Sequence, residues 1–183
     1  MSLSQAQQRT RKLIITSLQN LLLTQPLDKI TIATICKTAM IHHTTFYRYF
    51  ADKYDLVGAL LTNICVQIDE LMINDINFSE ALVSVLGHQR TLFRNLTSNN
   101  QSNAIYYDLI TIMAHQLLLT SQKLRYTNDT IIEKLQHTSN QELASFGFAG
   151  MVVGIFIRWN TLEQSDQSLS EFLDKDSQTL LGF

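Results

Sequence analysis

The chain has 183 residues, 45% of them apolar, with one proline, six glycines and a net charge of −2, which reads as helical rather than β or disordered and allows one large domain or two small ones. Cys36 and Cys65 lack metal-ligand spacing and suggest no disulfide framework, the pattern of buried thiols in a reducing cytosol. The longest apolar run, residues 146–157, ends at Arg158 and falls short of the roughly 18 to 20 residues of a membrane span, so a buried helix is expected there.

A first helix is predicted over about residues 5–23, with Ile14, Leu18, Leu21 and Leu22 on its buried face and Arg9, Arg11 and Lys12 in or before its first turns. The opening dozen residues lack the apolar core of a secretion signal. Pro26 separates this helix from the next. Ile32, Ile35 and Cys36 then line one face of a short helix opening at Thr31, a residue suited to the N-cap. Ala39, Met40 and Ile41 make a compact apolar break. A second short segment, residues 42–50, buries Phe46 and Phe50 at i, i+4 and leaves His43, Thr44, Tyr47 and Arg48 outside. Two short helices around a tight turn form the DNA-reading helix-turn-helix, whose second helix lies in the major groove. Hydrogen-bonding groups with one cation suit base edges and phosphates.

The next helix is predicted to start near Asp52, whose carboxylate suits a helix N-terminus. It carries Leu56, Leu60, Ile64, Ile68 and Leu71 in one stripe. No glycine- or proline-rich linker follows, so the head and the body behind it are expected to be mechanically coupled. Residues 78–96 read as one helix or two, interrupted near Gly87, and the polar cluster 97–103 as a loop. Helices are then predicted over 105–123, 130–137, 140–162 and 168–181. Residues 1–60 carry seven Lys/Arg against three Asp, and residues 61–183 seven against thirteen acids, so a basic head precedes an acidic body. The reading is all-α: a three-helix helix-turn-helix domain over 1–51 fused to a helical bundle over 52–183 for dimerisation and ligand sensing.

Residues 44–56, TTFYRYFADKYDL, resemble the signature of TetR/AcrR-type transcriptional regulators, and the likeness runs from about residue 9 to 61. The resemblance implies that Thr31 and Thr34 approach the DNA backbone and that His43 and Thr44 read bases at the start of the recognition helix. It implies that Thr45, Tyr47 and Tyr49 contact backbone or groove and that Lys53 lies beside a phosphate, while Arg48 joins the DNA-facing set by its outward position. Met40 replaces the usual turn glycine, so a residue with a Cβ is expected at positive φ. Ala33 stands where some members place a base-reading arginine, which shifts readout onto the second helix. Gly150 and Gly154, with Gly147 one turn earlier and Trp159 following, resemble the C-terminal part of many Gram-positive members. Glycines in a helix cost roughly 1 kcal/mol each against alanine, so these need close helix approach, either across a dimer interface or onto the core.

Tyr106, Tyr107, Met113, His115, Phe146, Phe148 and Met151 are candidates for lining a ligand cavity, or are plain core at helical spacing. His42 and His43 point about 100° apart in a helix and do not share a metal. Asp69 and Glu70 read as solvated, and no phosphate loop, nucleophile elbow or HExxH is present, so neither an enzyme, a cofactor nor a metal is expected. The resulting expectation is a cytoplasmic, homodimeric regulator, most often a repressor in such families, on an inverted-repeat operator of double-stranded DNA with a small-molecule effector. The alternatives are a regulator or activator controlled by a protein coactivator, and a small-molecule-binding or interaction protein that has lost DNA binding.

Overall fold

The structure, a computed structural model, describes residues 4–74, 76–97, 102–123 and 129–161. Among them are α1 (Gln5–Leu22), a 3-10 turn (Leu27–Lys29), α2 (Ile32–Thr38), α3 (His43–Tyr49), α4 (Lys53–Met72), α5 (Phe78–His88), α6 (Arg90–Leu96), α7 (Ser102–Ser121), α8 (Thr130–His137) and α9 (Gln141–Thr161), with no strand. The helix expected over 168–181 lies outside the described residues. The chain divides into two units, Met1–Leu61 with Thr91–Ile105, and Thr62–Arg90 with Tyr106–Phe183. The first unit is therefore larger than residues 1–51. It takes in the opening half of α4 and the α6 segment, where Leu56, Leu60, Leu92 and Phe93 are buried.

In the first unit, Ser4 and Gln7 form a reciprocal capping box that starts α1, and Ile14, Ile15, Leu18 and Leu22 supply its buried face. The Asn95 side-chain amide donates to the Leu22 carbonyl at 2.8 Å, satisfying one of the orphan acceptors at the end of α1. The Thr31 hydroxyl accepts the Thr34 N–H at 3.1 Å and caps α2, a contact worth about 1 kcal/mol. Asp52 caps α4 by accepting the N–H groups of Tyr54 and Asp55 at 2.7 and 2.9 Å.

In the second unit, Ile64, Cys65, Ile68 and Met72 of α4 are buried, and Met72 takes the place expected for Leu71, which is half-buried. The helix through Gly87 continues to His88 and breaks at Gln89 instead. Asp69 is not solvated as expected. Its carboxylate meets the Lys123 ammonium at 2.7 Å and accepts the Thr120 hydroxyl at 3.0 Å, because the end of α7 supplies both partners. Burial pushes the Cys65 thiol up to about 12 and raises Cys36 as well, so both stay protonated near neutrality. By length and composition, Gln141–Trp159 could cross a membrane, although its apolar run is interrupted. One face of it, with Phe148, Val152, Val153 and Phe156, is buried in the unit, and Phe148 meets Phe78 with ring centres 5.8 Å apart.

Asp129 joins two helix starts. One carboxylate oxygen accepts the N–H groups of Ile131 and Ile132 at 3.0 Å, and the other accepts the Phe78 N–H at 2.6 Å. Replacing it with Ala removes a cap and a charge-assisted bond together. Asp129→Ala is expected to lower unfolding free energy by about 2–3 kcal/mol in urea titration, and Asp129→Asn by less.

Candidate nucleic-acid interface

The α2–α3 turn is fixed by hydrogen bonds from both residues that follow Ala39. The Met40 N–H donates to the Lys37 carbonyl at 3.2 Å and the Ile41 N–H to the Cys36 carbonyl at 3.0 Å, which is a Schellman closure of α2. That closure requires the left-handed region at Met40, where φ is 52°. Methionine there meets the steric cost that glycine escapes, as the sequence implied. Its side chain is 89% exposed, so the position is held by backbone geometry and not by packing.

The seven residues of α3 are anchored on the inside by Phe46, followed by buried Phe50 one turn later, with ring centres 5.9 Å apart. The Arg11 guanidinium covers the Phe50 ring at 5.3 Å. Phe46 also meets the Tyr47 ring edge-on at 5.5 Å, which restrains an otherwise exposed tyrosine. His43, Thr44, Tyr47 and Arg48 are exposed, while Thr45 and Tyr49 are half-buried. The face thus presents imidazole, hydroxyl, phenol and guanidinium groups, able to donate and accept on base edges and to pair with phosphate. On α2, the Thr31 and Thr34 hydroxyls lie 2.9 Å apart, so each is already engaged with its neighbour.

Lys53 behaves differently from the other members of the expected set. Its ammonium donates to the carbonyls of Leu27 and Ile30 at 2.8 and 2.9 Å, inside the unit. Burial lowers its pKa below the ordinary lysine value, and the Asp28 carboxylate pulls it the other way. No local sequence signal announced this, since the acceptors are backbone carbonyls more than twenty positions earlier.

The candidate ligand set is in the second unit, at differing depths. Tyr107, His115 and Phe146 are exposed, Tyr106 and Met151 half-buried, and Met113 and Phe148 buried. Tyr107 and Phe146 meet edge-on at the surface, with ring centres 6.4 Å apart. Met113 borders a small cavity of about 10 Å³, room for one water, whose other walls include Cys65, Asp69, Met72, Phe78 and Gln116. Among the described residues, no atom lies within 4 Å of where a Cβ would stand at Gly147, Gly150 or Gly154. Gly147 and Gly154 are exposed beside Leu143, Phe146 and Arg158. Trp159 faces the other way. It is buried, stacked under the Arg90 guanidinium at 3.7 Å, and so is not part of that exposed strip.

No protein-family model matches the chain, and no curated protein matches it in sequence. Among solved structures it is similar to RolR in complex with its ligand resorcinol, at 20% identity and a TM-score of 0.52, over 91% of this chain and 86% of that one. The likeness shows the fold. An N-terminal helix-turn-helix unit followed by helical bundle is the architecture that the TetR/AcrR resemblance implies.

The strain at Met40 is separable from the recognition face. Met40→Gly is expected to raise stability by about 0.5–1 kcal/mol, the left-handed penalty removed less the added freedom of the unfolded chain. Urea denaturation followed by circular dichroism would measure it.

Proposed function

We propose that this chain is a TetR-like, one-component transcriptional regulator that binds double-stranded DNA as a homodimer. The observation that carries the reading is the exposed row His43, Thr44, Tyr47 and Arg48 on a short helix held from beneath by Phe46 and Phe50. In this reading His43 and Thr44 read base edges, and Tyr47, Arg48, Thr45 and Tyr49 contact groove or phosphate. Thr31 and Thr34 approach the backbone at the start of α2. The regulator acts in the cytoplasm as a repressor on an inverted repeat. The basic first third of the sequence supports a head attracted to DNA, and the acidic remainder a body that avoids it.

The homodimer reading rests on α9. Leu143, Phe146 and the glycine strip offer an exposed, close-approach face, and a single helix-turn-helix reads too few base pairs to select one site. RolR's resorcinol supports control by a small effector.

Selection of binding sites from a random DNA pool, followed by anisotropy titration, tests the proposal. His43→Ala and Thr44→Ala are each expected to cost roughly 1–3 kcal/mol on the selected site and to relax base preference there, while Tyr47→Phe reports the phenol hydroxyl alone. Failure of the wild-type chain to enrich any sequence would overturn it. Gly154→Leu is expected to weaken dimerisation and DNA binding together in sedimentation and titration. A folded Gly154→Leu dimer with normal affinity would move the interface elsewhere.

A further inference from the structure

Lys53 opens α4 at the position where the TetR/AcrR resemblance implies a phosphate contact, yet its ammonium is committed elsewhere. Nζ donates to the Leu27 carbonyl at 2.8 Å and to the Ile30 carbonyl at 2.9 Å. Leu27 and Ile30 are buried, and they are themselves joined by the Ile30 N–H to Leu27 carbonyl bond at 3.1 Å. The ammonium therefore ties the first residue of the 3-10 turn to its C-cap, adding a second donor to the Leu27 carbonyl and placing a cation at the turn's C-terminal end. Ile30 is followed immediately by Thr31, whose hydroxyl caps α2. A single side chain thus joins the first turn of α4 to the strut that enters the helix pair. The ammonium also lies over the Tyr54 ring, 5.8 Å from its centre. Of the three donors an ammonium has, two are used within the protein.

We propose that Lys53 is a positioning residue and not a phosphate ligand: it latches α4 to the connector before α2 and so sets the pose in which α3 meets DNA. The inference rests on the DNA-binding reading above. Charge-assisted bonds to two carbonyls on one short turn define direction as well as distance, so a shift of the first turn of α4 pulls on the start of α2. Without the latch, α2 and α3 sample more poses, and apparent affinity falls in proportion to the fraction that remains competent. A phosphate ligand would behave otherwise. Its loss removes about one released counterion, seen as a slope of log affinity against log salt that is shallower by about 0.9.

Lys53→Met, which keeps the stem and removes the donors, separates the two by a salt series of anisotropy titrations together with melting of the DNA-free protein. The expected result is binding weakened about tenfold at every salt concentration, an unchanged slope and a lower melting temperature. Lys53→Arg, which keeps charge and donors, is expected to recover most of the affinity and the melting temperature. Should Lys53→Met not fold, Lys53→Gln is read by the same slope. A slope shallower by about 0.9 with an unchanged melting temperature would make Lys53 a phosphate ligand. Lower melting with full affinity would make it a structural tie with no part in positioning. A wild-type chain without DNA affinity would remove the regulator reading and this role with it, whereas a Lys53→Met variant that matches a DNA-binding wild type would overturn this role alone.

Discussion

The burial of Phe46 and Phe50 is the contact on which the recognition surface depends. A helix of seven residues has almost no stability of its own in water, because nucleation costs more than two turns of hydrogen bonds return. His42, at its N-cap, contributes no side-chain hydrogen bond to offset that. Two aromatic side chains taken fully out of water contribute on the order of 2–3 kcal/mol each, which is what makes the helix persist. The rings also set its rotation. With Phe46 inward, helical geometry sends His43, Thr44, Tyr47 and Arg48 outward and leaves Thr45 and Tyr49 on the flanks. The turn at Met40 and the cap at Thr31 then set where α2 ends and begins, so the outward groups are held by backbone restraints on both sides.

In the second unit the governing constraint is apolar surface that stays exposed among the described residues. One face of α9 is buried with Phe148, Val152, Val153 and Phe156, while Leu143 and Phe146 on the other remain in water, Phe146 beside the exposed Tyr107 ring. Large apolar side chains clustered around glycines lower the barrier to close approach by another helix, and the free energy of covering them grows with the area removed from water. The dimer proposed here would provide that cover and would double the DNA read by each particle. Both needs point to the same face, which is why the assembly and the DNA-binding proposals stand together.

The fold was legible in the sequence wherever periodicity and punctuation agreed. Pro26, Thr31, the Phe46–Phe50 pair and Asp52 each mark an element boundary or a buried face by local chemistry, and the structure places all of them accordingly. Positive φ at Met40 was legible too, because the motif requires a left-handed residue there whatever occupies it. What escaped was every interaction set by residues distant in sequence. Nothing near Lys53 reveals carbonyls at Leu27 and Ile30 as its acceptors, nothing near Asp69 reveals Lys123, and nothing near Trp159 reveals the Arg90 guanidinium over its ring. The ligand set shows the same limit, since Tyr107, His115 and Phe146 are exposed where Met113 and Phe148 are buried. Aromatic and sulfur side chains at helical spacing report a helix face, but whether that face turns inward depends on packing that composition does not encode.

In the proposed function the α3 face reads DNA in a two-fold pair. A hydroxyl-radical footprint of the wild-type protein on the promoter adjoining its own gene tests it most directly. Two protected half-sites of inverted sequence are expected, their centres about one helical turn, ~34–36 Å, apart or somewhat more. Absence of protection on that promoter and on sites selected from random DNA, or a single protected half-site at saturating protein, would contradict it.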